Sequence, residues 1–134
     1  MTAWTGWLAI GLILAAISLP VGHRLWLGKR AAPDSRVTRV HVVIGILVIA
    51  MAFVHTLAIV PNLGSPEAVA GGMIALLPGG VAFFLLMAHA GLGFQLRNLR
   101  LRDRVRKRRA HLATATMIGI AAAAHVVTLL HAGR

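Results

Sequence analysis

The chain holds seven histidines: His23, His41, His55, His89, His111, His125 and His131. Four of them form two matching pairs. His41 and His55 have thirteen residues between them, and so do His111 and His125. On a helix, fourteen steps of about 100° come to about 1400°, within about 40° of four full turns, so both members of a pair share one face. At a rise of about 1.5 Å per residue they stand about 21 Å apart along the axis. Two parallel helices marked in this way offer two levels, each with one imidazole from each helix. His41 would face His111 at one level and His55 would face His125 at the other. Facing imidazoles can hold an iron porphyrin from both axial sides, and helical proteins place such cofactors in the bundle core. The expectation is two b-type haems, one above the other, with those four histidines as iron ligands. With both axial positions filled, the irons suit electron passage better than oxygen binding.

These helices have to lie in a membrane. The chain of 134 residues is 58% hydrophobic and 13% charged, against about 25% charged in a soluble domain. Four apolar stretches reach the roughly 20 residues that cross a bilayer core as helix. They run from about Trp4 to Leu27, Val40 to Val60, Ala68 to Leu96, and His111 to Ala132. The fold expected is an all-α membrane protein, a single four-helix bundle over residues 1–134. The first stretch lacks a positive leader and is followed, not preceded, by Lys and Arg, so it is expected to be a retained helix and not a signal peptide. Pro20 and Pro78 are expected to kink spans one and three, and Pro78-Gly79-Gly80 is a candidate break in the latter.

Charge supplies an orientation. Thirteen of the fourteen Lys and Arg residues lie in or beside two connections. Arg24, Lys29, Arg30, Arg36 and Arg39 flank the first; Arg97, Arg100, Arg102, Arg104, Arg106, Lys107, Arg108 and Arg109 crowd the other. The connection from Pro61 to Glu67 has none. The positive-inside rule then places both basic connections in the cytoplasm and both termini on the outer, periplasmic side of a bacterial inner membrane. Spans two and four run parallel, as the histidine levels require. A net charge of +11 would suggest nucleic acid in a soluble chain. Here topology and attraction to anionic membrane lipid account for it, and no nucleic-acid partner is expected. The basic run from Arg97 to Arg109 could also dock an acidic partner. The absence of cysteine excludes disulfides, iron–sulfur clusters and thioether-linked haem. No nucleophile–base constellation is present, and any oxidoreductase chemistry would rest on haem and bound quinone.

The paired H-x13-H motif, with Arg108-Arg109-Ala110 just before His111, resembles the haem-binding core of the cytochrome b family and of ferric-reductase-like transmembrane domains. The resemblance covers roughly Arg36 to His131. It implies that His41 and His111 hold an inner haem, and His55 and His125 an outer one. It also implies that Gly45 and Gly119, between the two levels, admit the porphyrin edge; close helix packing through small residues is the alternative for both. The chain departs from the ferric reductases in having no segment for a flavin or nicotinamide. Electrons are therefore expected from a quinol, a diffusible carrier or another subunit, within a hetero- or homo-oligomer.

Arg36, Arg39, Arg108 and Arg109 sit just outside the inner level, where guanidinium groups could pair with haem propionates. Arg134 is the one outer counterpart. Thr56, Thr114, Thr116 and Thr128 could orient imidazoles or bond their own helix backbone. His89 in span three is expected about 10 Å below the cytoplasmic surface, without a partner at matching depth. A helix–helix hydrogen bond is favoured for it, with quinone binding, proton relay and packing against the inner haem as alternatives. His23 and His131 are expected at the interfaces. Two other functions fit the composition: a histidine-lined proton or metal transporter, and a cofactor-free anchor subunit. A relay would spread histidines along one path, usually with intramembrane carboxylates.

Overall fold

The computed structural model describes residues 2–63 and 72–132. Four long helices account for nearly all of them, and among the described residues there is no strand. Helix α1 spans Thr2–Leu27, α2 Arg36–Ile59, α3 Gly72–Leu96 and α4 Arg104–Ala132. All four are long and apolar enough to cross a bilayer. The chain is an integral membrane protein.

Local signals set the helix ends. Gly28, at φ +64°, takes the left-handed conformation that ends α1 and that only glycine adopts without strain. Ser35 caps α2, its hydroxyl accepting from the Thr38 amide at 3.3 Å, and so pairs an otherwise orphaned N–H. At the turn between α3 and α4, Arg104 reaches back to the main-chain oxygens of Asn98 (3.2 Å) and Leu96. These contacts satisfy carbonyls at the C-terminus of α3.

Two expected boundaries shift. Helix α4 begins at Arg104, seven residues before the expected start. Arg104 to Arg109 therefore form its first turns and do not belong to a connection. Arginine and lysine are good helix formers, and their long stems let the charged heads reach the interface. Arg36 and Arg39 likewise fall in the first turn of α2. Helix α3 runs unbroken through Pro78, so the expected break at Pro78-Gly79-Gly80 does not occur. The beginning of the expected third span, from Ala68, lies outside the described residues, as does Arg134.

The helices pair as two hairpins. Helix α1 packs along α2 and α3 along α4, with a lighter meeting of α2 and α3. The stripe of α1 toward α2 is mostly small: Thr5, Gly6, Ala9 and Ala16, with Ala9 and Ala16 buried. Small residues let backbones approach in lipid, where no hydrophobic effect drives helices together. Val48, Leu86 and Ile118 form the buried centre, with Leu12, Ile13, Ile44 and Ala52 around it. Large apolar side chains such as Leu14, Phe53, Phe84 and Leu112 point outward. In water such a surface would aggregate; in lipid it is the normal exterior.

Candidate histidine centre

The four motif histidines are half-buried. Val48 lies midway between His41 and His55, and Ile118 midway between His111 and His125. Both are core residues, so the histidine face of each helix is the face turned into the bundle.

At the inner level the structure brings the expected partners together. The rings of His41 and His111 lie 6.3 Å apart between centroids, with their planes at 82°. Two metal–imidazole bonds of about 2.0–2.1 Å, plus roughly 1.1 Å from each nitrogen to its ring centre, span about 6.2 Å. The separation therefore suits two imidazoles on opposite sides of one metal ion. The other nitrogen of each ring is engaged. His41 Nδ1–H donates to the Ala16 carbonyl at 2.8 Å, and His111 Nδ1–H donates to the His89 carbonyl at 3.2 Å. With the proton held at Nδ1, Nε2 carries the free lone pair. Ligating histidines are ordinarily held this way, with the distal N–H on a carbonyl or carboxylate.

The outer histidines each have a seat on a neighbouring helix. His55 Nδ1 is hydrogen-bonded to Thr5 Oγ1 at 2.9 Å, and its ring rests on Gly6, where an added Cβ would come within 3.1 Å. The His125 ring rests on Gly79, where a Cβ would come within 2.8 Å. Its Nδ1 is buried without a hydrogen-bond partner, the one such buried side-chain atom among the described residues. Leaving a buried polar nitrogen unpaired costs about 1–3 kcal/mol.

Glycines therefore serve the histidines, though not the ones expected. Gly6, Gly79 and Gly93 lie against His55, His125 and His111. Gly79 and Gly93 repeat on α3 the fourteen-residue step of the histidines on α4, a signal present in the sequence. At Gly45 and Gly119 an added Cβ would meet no atom within 4 Å. Neither glycine makes a close helix contact, and both face open space.

Span one also does more than expected. Thr5 and the Ala16 carbonyl are the partners of the two α2 histidines. Its small residues at three- and four-residue spacing were the legible sign of a helix held close to a neighbour. Among the expected threonines, Thr56 and Thr116 bond their own helix, to Ala52 and Leu112. Thr128 bonds Ala124 and His125 on its own helix and Ala75 on α3. Thr114 combines both roles, donating to the His111 carbonyl and binding His89 Nδ1, each at 2.9 Å.

His89 departs from expectation. The expected helix–helix bond is there, to Thr114, but the residue also has a partner at matching depth. Its ring stacks on His111 at 3.7 Å and 16°, so the inner level holds three histidines. Periodicity within one helix could not reveal this, because His89 belongs to an antiparallel neighbour. His23, half-buried, and His131, exposed, bond to nearby main chain, at Lys29 and Val127.

The four arginines are exposed at the same end of the bundle as His41 and His111. Arg39 Nε–H donates to the Asp34 carbonyl at 3.0 Å. Arg36, Arg108 and Arg109 lie on the opening turns of α2 and α4. Comparison of the chain with known protein families, characterised proteins and solved structures finds no match.

Proposed function

We propose that the protein is a transmembrane b-type cytochrome that carries electrons across the bilayer between two bis-histidine haems. It would act as a quinone-linked oxidoreductase or as the membrane subunit of a larger redox complex. The observation that carries this reading is the inner pair. His41 and His111 face each other at 6.3 Å, and each has Nδ1 tied to a main-chain carbonyl. A proton relay needs no such spacing, and a cofactor-free anchor needs no matched pairs. The open space beside Gly45 and Gly119 fits the same reading.

Haem, when bound, supplies one-electron chemistry. The rest falls to the chain. His41, His111, His55 and His125 would hold the haem irons. Ala16, His89 and Thr5 hold three of those rings in orientation. Arg36, Arg39, Arg108 and Arg109 supply positive charge where propionates of the inner haem would emerge. The orientation proposed has both basic ends in the cytoplasm of a bacterial inner membrane, with the termini outside.

The test is the reduced-minus-oxidised visible spectrum of the purified protein together with haem per chain. About two b-type haems per chain is the expected result. A protein made in haem-sufficient cells that carries none would overturn the proposal and leave transport or anchoring.

A further inference from the structure

His89 is not one of the four proposed ligands, yet it is the residue most closely engaged with one of them. The contacts form a closed loop. His111 Nδ1–H donates to the His89 carbonyl at 3.2 Å. The Thr114 hydroxyl donates to the His111 carbonyl at 2.9 Å. With that proton committed, Thr114 Oγ1 accepts from His89 Nδ1–H at 2.9 Å. Each histidine ring is thus tied to the other residue's main chain, one directly and one through Thr114. The rings stack face to face, 3.7 Å between centroids and 16° between planes. Gly93 closes the other approach, since a Cβ there would reach within 3.3 Å of the His111 ring. A lone imidazole turns easily about its outer side-chain torsion, whose wells are broad. One that is stacked, hydrogen-bonded and flanked by main chain does not.

We infer that His89 is a positioning residue, which fixes the plane of the His111 imidazole nearly perpendicular to that of His41. The inference rests on the proposed haem ligation. The observed angle between the two rings is 82°. The mutual angle of two axial imidazoles decides which iron d orbitals each can overlap. Perpendicular planes leave two of those orbitals close in energy, and parallel planes split them. The orientation of a ligand by its outer partners is one of the levers by which a protein tunes a haem. At the outer level His55 is hydrogen-bonded to Thr5, and His125 Nδ1 has no hydrogen-bond partner among the described residues. The two haems should then differ in spectrum although all four ligands are histidines.

Low-temperature electron paramagnetic resonance of the oxidised protein tests this, in the intact chain and in a His55→Ala background that isolates the inner haem. The expected inner signal is the highly anisotropic low-spin type given by perpendicular imidazoles. In His89→Leu, which removes stack and hydrogen bond, that signal should move toward the less anisotropic type with haem content unchanged. His89→Phe keeps a stacking face and should fall between. Thr114→Val should shift the signal in the same direction, and Thr114→Ser should restore it. Should His89→Leu fail to assemble, the two Thr114 variants decide. Full haem content with an unchanged inner signal in both His89→Leu and Thr114→Val overturns the inference and leaves haem ligation intact. Loss of one haem in His89→Leu beside an unchanged signal in Thr114→Val overturns it as well. Absence of haem from the unmodified chain overturns the ligation and the inference together.

Discussion

Val48 of α2 and Ile118 of α4 occupy the same place in two helices and meet in one buried cluster. Each is seven residues from both histidines of its own helix, and they are 2% and 5% exposed. Seven residues make about 700°, nearly two turns, so each shares the histidine face and sits about 10 Å from either level. Together with Leu86 they form an apolar layer between the inner and outer histidine pairs. That layer separates the two proposed haem sites and anchors the two hairpins to each other.

The two pairs should fail independently. His41→Ala or His111→Ala is expected to leave about one haem per chain, with the outer spectrum retained. His55→Ala or His125→Ala should leave one as well, with the inner spectrum retained. Haem extraction and quantification, read beside the difference spectrum, checks this. Loss of both haems from every variant would show that the levels are not separate sites.

Truncation of the central layer should loosen the bundle without selecting between the levels. Ile118→Ala leaves a cavity beside Val48 and Leu86, and a destabilisation of about 2 kcal/mol is expected. Reversible unfolding in mixed micelles measures it. Both haems should become less tightly held, in equal proportion.

Glycine substitutions should fall into two groups. At Gly79 an added Cβ would lie 2.8 Å from the His125 ring, so the ring would have to shift from its seat. Gly79→Ala is therefore expected to lose the outer haem and keep the inner one. Gly45→Ala and Gly119→Ala meet no atom within 4 Å and should leave folding unchanged. A fall in their haem content, with helicity and detergent stability intact, is expected if porphyrin fills that space.

Thr5 acts on the outer haem through His55. Thr5→Val removes the hydrogen-bond partner at Nδ1 while nearly keeping the shape. Losing such an outer partner typically weakens a metal site about 10–100-fold. Transfer of the outer haem to an apo-globin trap should quicken by about tenfold at the lower end of that range. Thr5→Ser should restore the slow rate, and the inner haem should not respond to either change.

The orientation has its own check. Alkaline phosphatase fused after Ala132 should be active outside the cell membrane. The same enzyme fused within residues 97–103 should be inactive, because the proposed orientation puts that arginine-rich connection in the cytoplasm. The reverse pattern would exchange the proposed inner and outer assignments, and activity at both points would overturn the four-span orientation.

The four spans and the meeting of His41 with His111 were legible from the sequence. Apolar length and the step of fourteen are properties of a single helix, and local geometry turns them into a face and a depth. That is why His41 and His111 could be expected opposite each other before any fold was known. The start of α4 was misplaced because hydropathy falls where Arg104 begins, whereas helix formation continues through arginine and lysine.

Which helix lies against which was not written in any one segment. It took the packing of α1 on α2 to bring Thr5 to His55 and the Ala16 carbonyl to His41. It took the packing of α3 on α4 to lay His89 on His111 and to seat His125 on Gly79. These contacts join residues 22 to 50 positions apart, between antiparallel helices whose relative height and rotation depend on small side chains at their shared face. A helix's own periodicity places a residue on a face and at a depth; only the neighbour's surface determines what that residue touches.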